Sequence, residues 1–264
     1  MNIKKADCNY LKTQFDSGNY DSVNTYLLHN SNLPGKRANL TLMQSFSEVI
    51  STLNPSEELY NYLTSIFNST SNGNDENTML VICGLIGLGN FYNKNSLKKS
   101  EITTLLIQAM NDSRWRVREI VTESLKIIAI NSYSEFQKII DSMSEPTLLE
   151  QRAIIATLAH PIILKTNSQI EYSLRALDII FKNFSKLDSK KDIENYKALK
   201  KGLSFAPSVI VAAGPVEGFD ILKKYININK SINSAIKENL KKSKLLKYYP
   251  EEIQKMTALF ECKI

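Results

Sequence analysis

The chain is poor in residues that interrupt regular structure and in residues that cross-link it. Its 264 residues include 9 Gly and 7 Pro, which argues against a turn-rich β-sandwich and for long helices. Its three cysteines, Cys8, Cys83 and Cys262, lie far apart and form no C-x-x-C pair. We therefore expect neither a disulfide framework nor a cysteine-based zinc site.

Long apolar segments are also lacking. The longest, residues 79–88, has about half of the ~20 residues that a membrane span requires. The lysines near the N-terminus are not followed by an apolar stretch, so the start does not resemble a secretory signal. These features predict a cytoplasmic protein that does not associate with membranes.

Basic charge is concentrated toward the C-terminus. Residues 182–264 contain 17 Lys against 9 Asp or Glu, whereas residues 1–181 contain 16 basic and 18 acidic residues. Such asymmetry can mark an end that binds nucleic acid. The simpler interpretation is a solvated lysine surface, because 27 Lys against 6 Arg is a bias that an AT-rich genome also produces. Both interpretations remain open at the level of sequence.

Apolar residues recur with the helical period along nearly the whole chain. Stretch 208–213 is rich in β-branched residues but has no second strand to pair with, so we predict a buried helix there. One set of predicted helices, the second-set helices, begins near residues 37, 77, 115, 150, 192 and 231. Their partners, the first-set helices, begin near residues 20, 56, 99, 134, 170 and 217. A two-helix unit that recurs about every 40 residues is typical of HEAT and armadillo solenoids.

The predicted fold is therefore an all-α, HEAT-like α-solenoid of about six helical hairpins in a right-handed superhelix. We expect a single domain over residues 1–264, with terminal helices at about 3–15 and 250–260 as caps. In the sharpest unit, residues 105–125, Asp112 or Ser113 is expected to cap the helix that starts at Trp115.

Two arginines of this unit receive different predicted roles. Arg118 lies where HEAT units tie neighbours together, so we expect its loss to destabilise the protein. Arg116 lies two positions away, about 200° round the helix, and is expected to face a partner, with little effect on stability.

Other motifs give no sign of catalysis. The glycines of segment 84–89 have the wrong spacing for G-x-G-x-x-G and predict close helix–helix approach instead. Segment 214–218 reads as a turn between helices and lacks the Lys-Ser/Thr of a phosphate loop. His29 and His160 are the only imidazoles. We predict no catalytic residue, no metal site and no cofactor.

Several segments together resemble an uncharacterised family of bacterial HEAT-repeat proteins. The matching segments are 31–40, 113–119, 151–161, 199–203, 208–213 and 237–242. The resemblance implies a curved helical solenoid and carries over no reaction. The chain departs from the family pattern at segment 205–207, where an aromatic-rich helix is usual, and in having a single tryptophan.

A weaker resemblance is to the HEAT-like DNA glycosylases that remove alkylated purines. Trp115 stands among Arg114, Arg116 and Arg118, and Glu119 shares its helical face at i, i+4. The resemblance implies that the indole and a carboxylate frame a cationic base. That family has tryptophans on more than one helix and an Asp one helical turn after one of them, whereas here Asp112 precedes the lone Trp115.

The predicted function is non-enzymatic, namely a scaffold that binds a protein or peptide partner on its concave face, lined by the second-set helices. The alternative is a nucleic-acid-binding protein, possibly a divergent glycosylase, that uses the basic C-terminal third. The candidate binding residues lie near the openings of second-set helices: Arg37, Asn39, Trp115, Arg116, Glu119, Arg152, Asn239 and Lys242.

Overall fold

A computed structural model describes residues 3–187 and 191–261, so Cys262 lies outside the described residues. Throughout this described part the regular structure is helical, without strands, which confirms the all-α prediction. None of the described helices is long and apolar enough to cross a membrane. The chain divides into two compact units, Met1–Ile139 and Ile140–Ile264.

The helices of the first unit pack in a regular order. They are α1 (Ile3–Asp16), α2 (Tyr20–His29), α3 (Leu40–Thr52), α4 (Glu57–Phe67), α5 (Asn77–Tyr92), α6 (Lys99–Met110), α7 (Trp115–Asn131) and most of α8 (Tyr133–Asp141). Helix α1 packs on α3, α3 on α5, and α5 on α7. The first-set helices α4 and α6 pack against α5 and α7. The second-set helices of this unit therefore lie next to one another in chain order.

Helix α5 is the centre of the first unit. It is apolar on all sides, and every residue from Thr78 to Tyr92 is buried. A Cβ on Gly84 would lie 2.5 Å from the backbone nitrogen of Phe67, and one on Gly89 would lie 2.9 Å from Cα of Ser124. The predicted role of these glycines in close helix approach is confirmed.

The second unit is less regular. Its helices are α9 (Leu148–Leu158), α10 (Asn167–Ser185), α11 (Ile193–Leu203), α12 (Ala206–Ala213), α13 (Pro215–Tyr225), α14 (Lys230–Leu240), α15 (Ser243–Tyr248) and α16 (Pro250–Leu259), with a 3-10 turn at Pro161–Ile163. The second-set helices α9, α11 and α14 again pack in order. Helix α12, which confirms the buried helix predicted at 208–213, is inserted against α9, α10, α13, α14 and α15.

Local start signals explain most helix boundaries. Ser56 and Asn229 accept backbone N–H groups at the starts of α4 and α14, and Thr147 forms a capping box with Glu150 at α9. All twelve predicted starts of first-set and second-set helices fall within three residues of an observed start; the largest differences are at 37 and 170, since α3 begins at Leu40 and α10 at Asn167.

Two local predictions are wrong. Segment 214–218 is not a turn, because Pro215 already opens α13 and only Gly214 links it to α12. Neither Asp112 nor Ser113 caps α7, whose N-cap position is Arg114 and has no side-chain cap. The Asp112 carboxylate instead accepts the Arg114 backbone N–H at 2.7 Å.

Candidate binding surface on helix α7

The one tryptophan of the chain stands at the first position of α7. The side chain of Trp115 is 53% exposed. The guanidinium of the next residue, Arg116, lies over the indole at 4.4 Å from the ring centroid. A cation in this position attracts the ring and limits its motion. The indole is therefore a large, half-exposed apolar surface that packs on a buried arginine.

Arg116 itself is buried, with 6% of its surface exposed. Its Nη1 donates to the carbonyl of Gly73 at 2.8 Å, and its Nη2 donates to the carbonyl of Gly35 at 2.6 Å. These acceptors lie 43 and 81 residues earlier, in the loops that precede α5 and α3. One side chain thus links the openings of three successive second-set helices.

The link between repeats that the sequence assigns to Arg118 is made by Arg116 in the structure. Arg118 is half-buried, and its Nη1 donates to the carbonyls of Asp112 and Ser113 in its own turn. The prediction that the two side chains point different ways is correct, but the buried direction was misjudged. Arg116 shares a helical row with Ile120 and Ser124, which are buried at i+4 and i+8. That row was the signal in the sequence for a buried arginine.

Asp112 is fully engaged in the turn before α7. Besides the Arg114 backbone N–H, it accepts Nε of Arg114 at 2.9 Å and Nη2 at 2.7 Å. Burial by itself would raise the pKa of Asp112, but these hydrogen bonds and the charges of Arg114 and Arg118 outweigh it and hold the pKa below its ordinary value. The carboxylate is therefore ionised at neutral pH and occupied by an arginine.

A row of side chains extends from Trp115 along α7 on one helical face. It comprises Trp115, Glu119, Glu123, Lys126 and Ile130, and we call it the α7 face. Steps of three and four residues keep these positions in line. Trp115 and Glu119 are exposed, Ile130 is 50% exposed, and Lys126 pairs with Glu123 at 2.8 Å. The face is apolar at both ends and charged in the middle.

The far end of the α7 face borders a shallow depression of about 360 Å³. Its lining comes from α1, α3, α5 and α7: Lys4, Gln44, Ser47, Glu48, Ser51, Asn90, Ile127, Ile130 and Asn131. Asn90 donates to Ser47 Oγ at 3.0 Å, and Lys4 pairs with Glu48 at 2.8 Å. The depression therefore presents two isoleucines within a polar rim on the second-set helices.

The remaining predicted site residues divide between the two units. In the first unit, Arg37 is exposed in the loop that Arg116 contacts. Asn39 caps α3 by accepting the Leu42 N–H at 3.1 Å. In the second unit, Arg152 is buried on α9, Lys242 is half-buried just before α15, and Asn239 is completely buried on α14. The structure thus places Trp115, Arg116 and Glu119 on the first turns of α7, and Arg116 joins them to the loop that contains Arg37.

Asn239 serves the packing of its own unit. Its Nδ2 donates to the carbonyls of Leu203 and Ala235, both at 2.7 Å, and its Oδ1 accepts the Ser208 backbone N–H at 2.8 Å. These bonds join α14 to α11 and α12. With its amide satisfied and no exposed surface, Asn239 does not lie on a binding surface.

Within the described ranges, no group of three or more His, Cys, Asp or Glu side chains is arranged to hold a metal ion.

Comparison with known proteins assigns the chain to no family: no family model matches it, and no curated protein matches it at a significant level.

Proposed function

We propose that the chain is a non-enzymatic helical-repeat protein that binds a protein partner over the face of its second-set helices. In this proposal about six HEAT-type hairpins stack in a right-handed superhelix, akin to the bacterial HEAT-repeat family that the sequence resembles, in a cytoplasmic protein. Two observations support the repeat: α3, α5 and α7 pack in order in the first unit, and α9, α11 and α14 do so in the second.

The observation that carries the binding proposal is the fixed, half-exposed indole of Trp115. Tryptophan is enriched among the residues that dominate protein interfaces. The Arg116 guanidinium contacts one face of the ring and favours this orientation. The loss of side-chain entropy when a partner binds is therefore reduced. The same face continues to Ile130 and the depression beside it, so an extended partner would meet an apolar anchor at each end.

The proposal is tested by affinity capture from the source cells with the wild-type chain, Trp115→Ala and a control, Leu97→Ala. Leu97 is 86% exposed in the loop before α6 and lies outside the α7 face. We expect the same protein to be retained by wild type and by Leu97→Ala, and to be depleted at least tenfold by Trp115→Ala. Equal retention of this protein by all three chains would show that Trp115 does not contribute to partner binding.

A second candidate function is nucleic-acid binding. Three exposed lysines line one depression whose only acidic residue is Glu238: Lys230 and Lys237 on α14, and Lys241 at its C-cap. Such a row suits a phosphate backbone. This candidate is tested by measuring the affinity of the chain for labelled duplex DNA at increasing salt. We expect weak binding at physiological ionic strength. Tight binding that falls steeply with salt would place this candidate first.

The glycosylase form of the second candidate needs a carboxylate that can approach a base beside Trp115. Asp112 is occupied by Arg114, and one face of the indole is covered by Arg116. Glu119 therefore is the residue that this form would require. Release of an alkylated purine from DNA by wild type, and loss of release in Glu119→Gln, is the outcome that would support it.

A further inference from the structure

A groove of about 900 Å³ lies between α10 and α13 in the second unit. One wall comes from α10 and the other from α13 with the turn before it: Asn167, Ile170, Glu171, Leu174, Arg175, Asp178, Ile179, Ala213, Gly214, Glu217, Asp220, Ile221 and Lys224. None of these residues is among the binding residues predicted from the sequence. The groove lies on first-set helices of the second unit.

The groove has the length and the apolar floor that a short helix needs. On both walls the lining residues recur every three or four positions, which is the spacing of one helical face. The stretch from Asn167 to Ile179 is about 18 Å long at 1.5 Å per residue. Ile170, Leu174 and Ile221 form apolar floor, and Ile179 is 56% exposed. A partner helix of about three turns would cover this length.

One end of the groove is closed by backbone. A Cβ on Gly214 would lie 2.7 Å from Cγ2 of Ile170 and 2.9 Å from Cδ1 of Leu174. The turn between α12 and α13 is therefore pressed onto α10. The two walls are also joined near the end of α13, where Lys224 pairs with Asp178 at 2.8 Å and Tyr225 Oη donates to Asp178 Oδ1 at 2.8 Å. Their separation is set by packing, so the groove is preformed.

The groove is acidic although its unit is basic. It is lined by four carboxylates and two cations, whereas residues 140–264 contain 20 Lys and Arg against 14 Asp and Glu. Asp178 is paired with Lys224 at 2.8 Å, and Asp220 with Lys223 at 3.1 Å. Glu171 and Glu217 are exposed, on opposite walls, and have no ion pair or hydrogen bond within the described chain. Two unpaired carboxylates thus flank an apolar floor.

We propose that this groove binds a short cationic amphipathic helix of a partner protein. Apolar side chains of the partner at i, i+3, i+4 and i+7 enter between α10 and α13, and Lys or Arg on its two flanks pair with Glu171 and Glu217. This is the helix-in-groove mode of recognition, with charge complementarity that fixes the sign of the partner. The proposal does not depend on the α7 face, so each can fail alone.

The test is fluorescence anisotropy of the full-length chain with a labelled 14-residue peptide that has four leucines on one face and lysines on both flanks. The variants are Glu171→Gln/Glu217→Gln, Ile179→Ser, and a control, Glu194→Gln/Glu251→Gln. The control removes two exposed first-turn glutamates elsewhere in the same unit, so the change in net charge is equal. Circular dichroism and thermal melts verify that each variant is folded.

We expect Glu171→Gln/Glu217→Gln to weaken binding about threefold to tenfold, since each exposed ion pair accounts for up to about fivefold. Ile179→Ser should weaken it about tenfold, and the control should stay within twofold. A peptide with glutamates in place of the lysines should not bind.

Equal weakening by both double variants would show attraction by net charge alone and overturn the proposal, as would unchanged binding in all variants. A wild-type dimer that Ile179→Ser dissociates, seen by sedimentation, would overturn it too, because the occupant would then be a second copy of the chain.

Discussion

Replacement of Arg116 by alanine is predicted to destabilise the first unit, and the same change at Arg118 is predicted to have a small effect. Arg116→Ala removes the charge-assisted hydrogen bonds to the carbonyls of Gly73 and Gly35, each contributing about 1.5–3 kcal/mol, and a longer one to the carbonyl of Lys36 at 3.5 Å. It leaves the buried Gly73 carbonyl without this donor, while water can reach the half-buried Gly35. We therefore expect a loss of about 2–4 kcal/mol in the free energy of unfolding.

Arg118→Ala is the matched control on the same helix. Arg118 donates to two carbonyls of its own turn from a half-buried position, so water replaces much of what is lost. The expected cost is about 0.5–1.5 kcal/mol. Arg116→Lys should lie between the two alanine variants, because an ammonium lacks the planar fork that reaches two loops at once.

The assay is urea and thermal unfolding of the three variants beside wild type. A loss of 2–4 kcal/mol corresponds to a shift in Tm of about 5–15 °C for a unit of this size. If the two units unfold separately, the shift belongs to the transition of residues 1–139. A wild-type melting curve for Arg116→Ala, together with a marked shift for Arg118→Ala, would refute the reasoning.

Three further predictions concern other parts of the structure. Asn239→Ala should lower the free energy of unfolding in urea by about 2–4 kcal/mol, because three buried backbone groups lose their hydrogen bonds to the amide. A loss below about 1 kcal/mol would contradict this. Gly84→Ala should destabilise by about 1–3 kcal/mol or more, since its Cβ would meet the backbone of α4 at 2.5 Å. Gly202→Ala should cost clearly less, because its Cβ would meet only side-chain atoms, Cγ of Arg152 at 3.3 Å and Cγ2 of Ile155 at 3.6 Å, and alanine favours the helix over glycine. Equal losses would argue against the packing of α4 on α5. Hydrogen bonds from Lys138 and then Lys99 lower the pKa of Glu135 to about 2 from 4.5. The ionised carboxylate therefore stabilises the fold above pH 4.5, and this contribution is lost as the pH falls toward 2. The difference in unfolding free energy between wild type and Glu135→Gln should shrink over that window, and a constant difference would contradict the ion pairs.

Helix positions were predictable from the sequence because they depend on local signals. Asp192 and Asn229 cap α11 and α14, and the apolar period of each helix is visible without any knowledge of its neighbours. Helix α3 begins three residues later than the predicted start at 37, since Asn39 rather than an earlier residue provides the cap. The short helix α15 was not predicted, and it has no side-chain cap.

The role of Arg116 and the groove between α10 and α13 depend on distant parts of the chain. The acceptors of Arg116 lie 43 and 81 residues away, and no local pattern reveals that two loop carbonyls converge on its guanidinium. Likewise, Glu171 and Glu217 are ordinary surface residues in the sequence, and only the packing of their helices makes them the two sides of one groove. The sequence predicts a binding site at the opening of α7, and this stays a prediction; it misjudged which arginine ties that opening to the neighbouring loops.

The most direct test of partner binding on the α7 face is site-specific photo-cross-linking in the source cells. A photoreactive phenylalanine analogue is placed at position 119 or 130 on that face and, for comparison, at the exposed position 97. We predict that positions 119 and 130 cross-link to the same protein, that position 97 does not, and that Trp115→Ala abolishes the product. Cross-links to nucleic acid, or the same products from all three positions, would contradict the account.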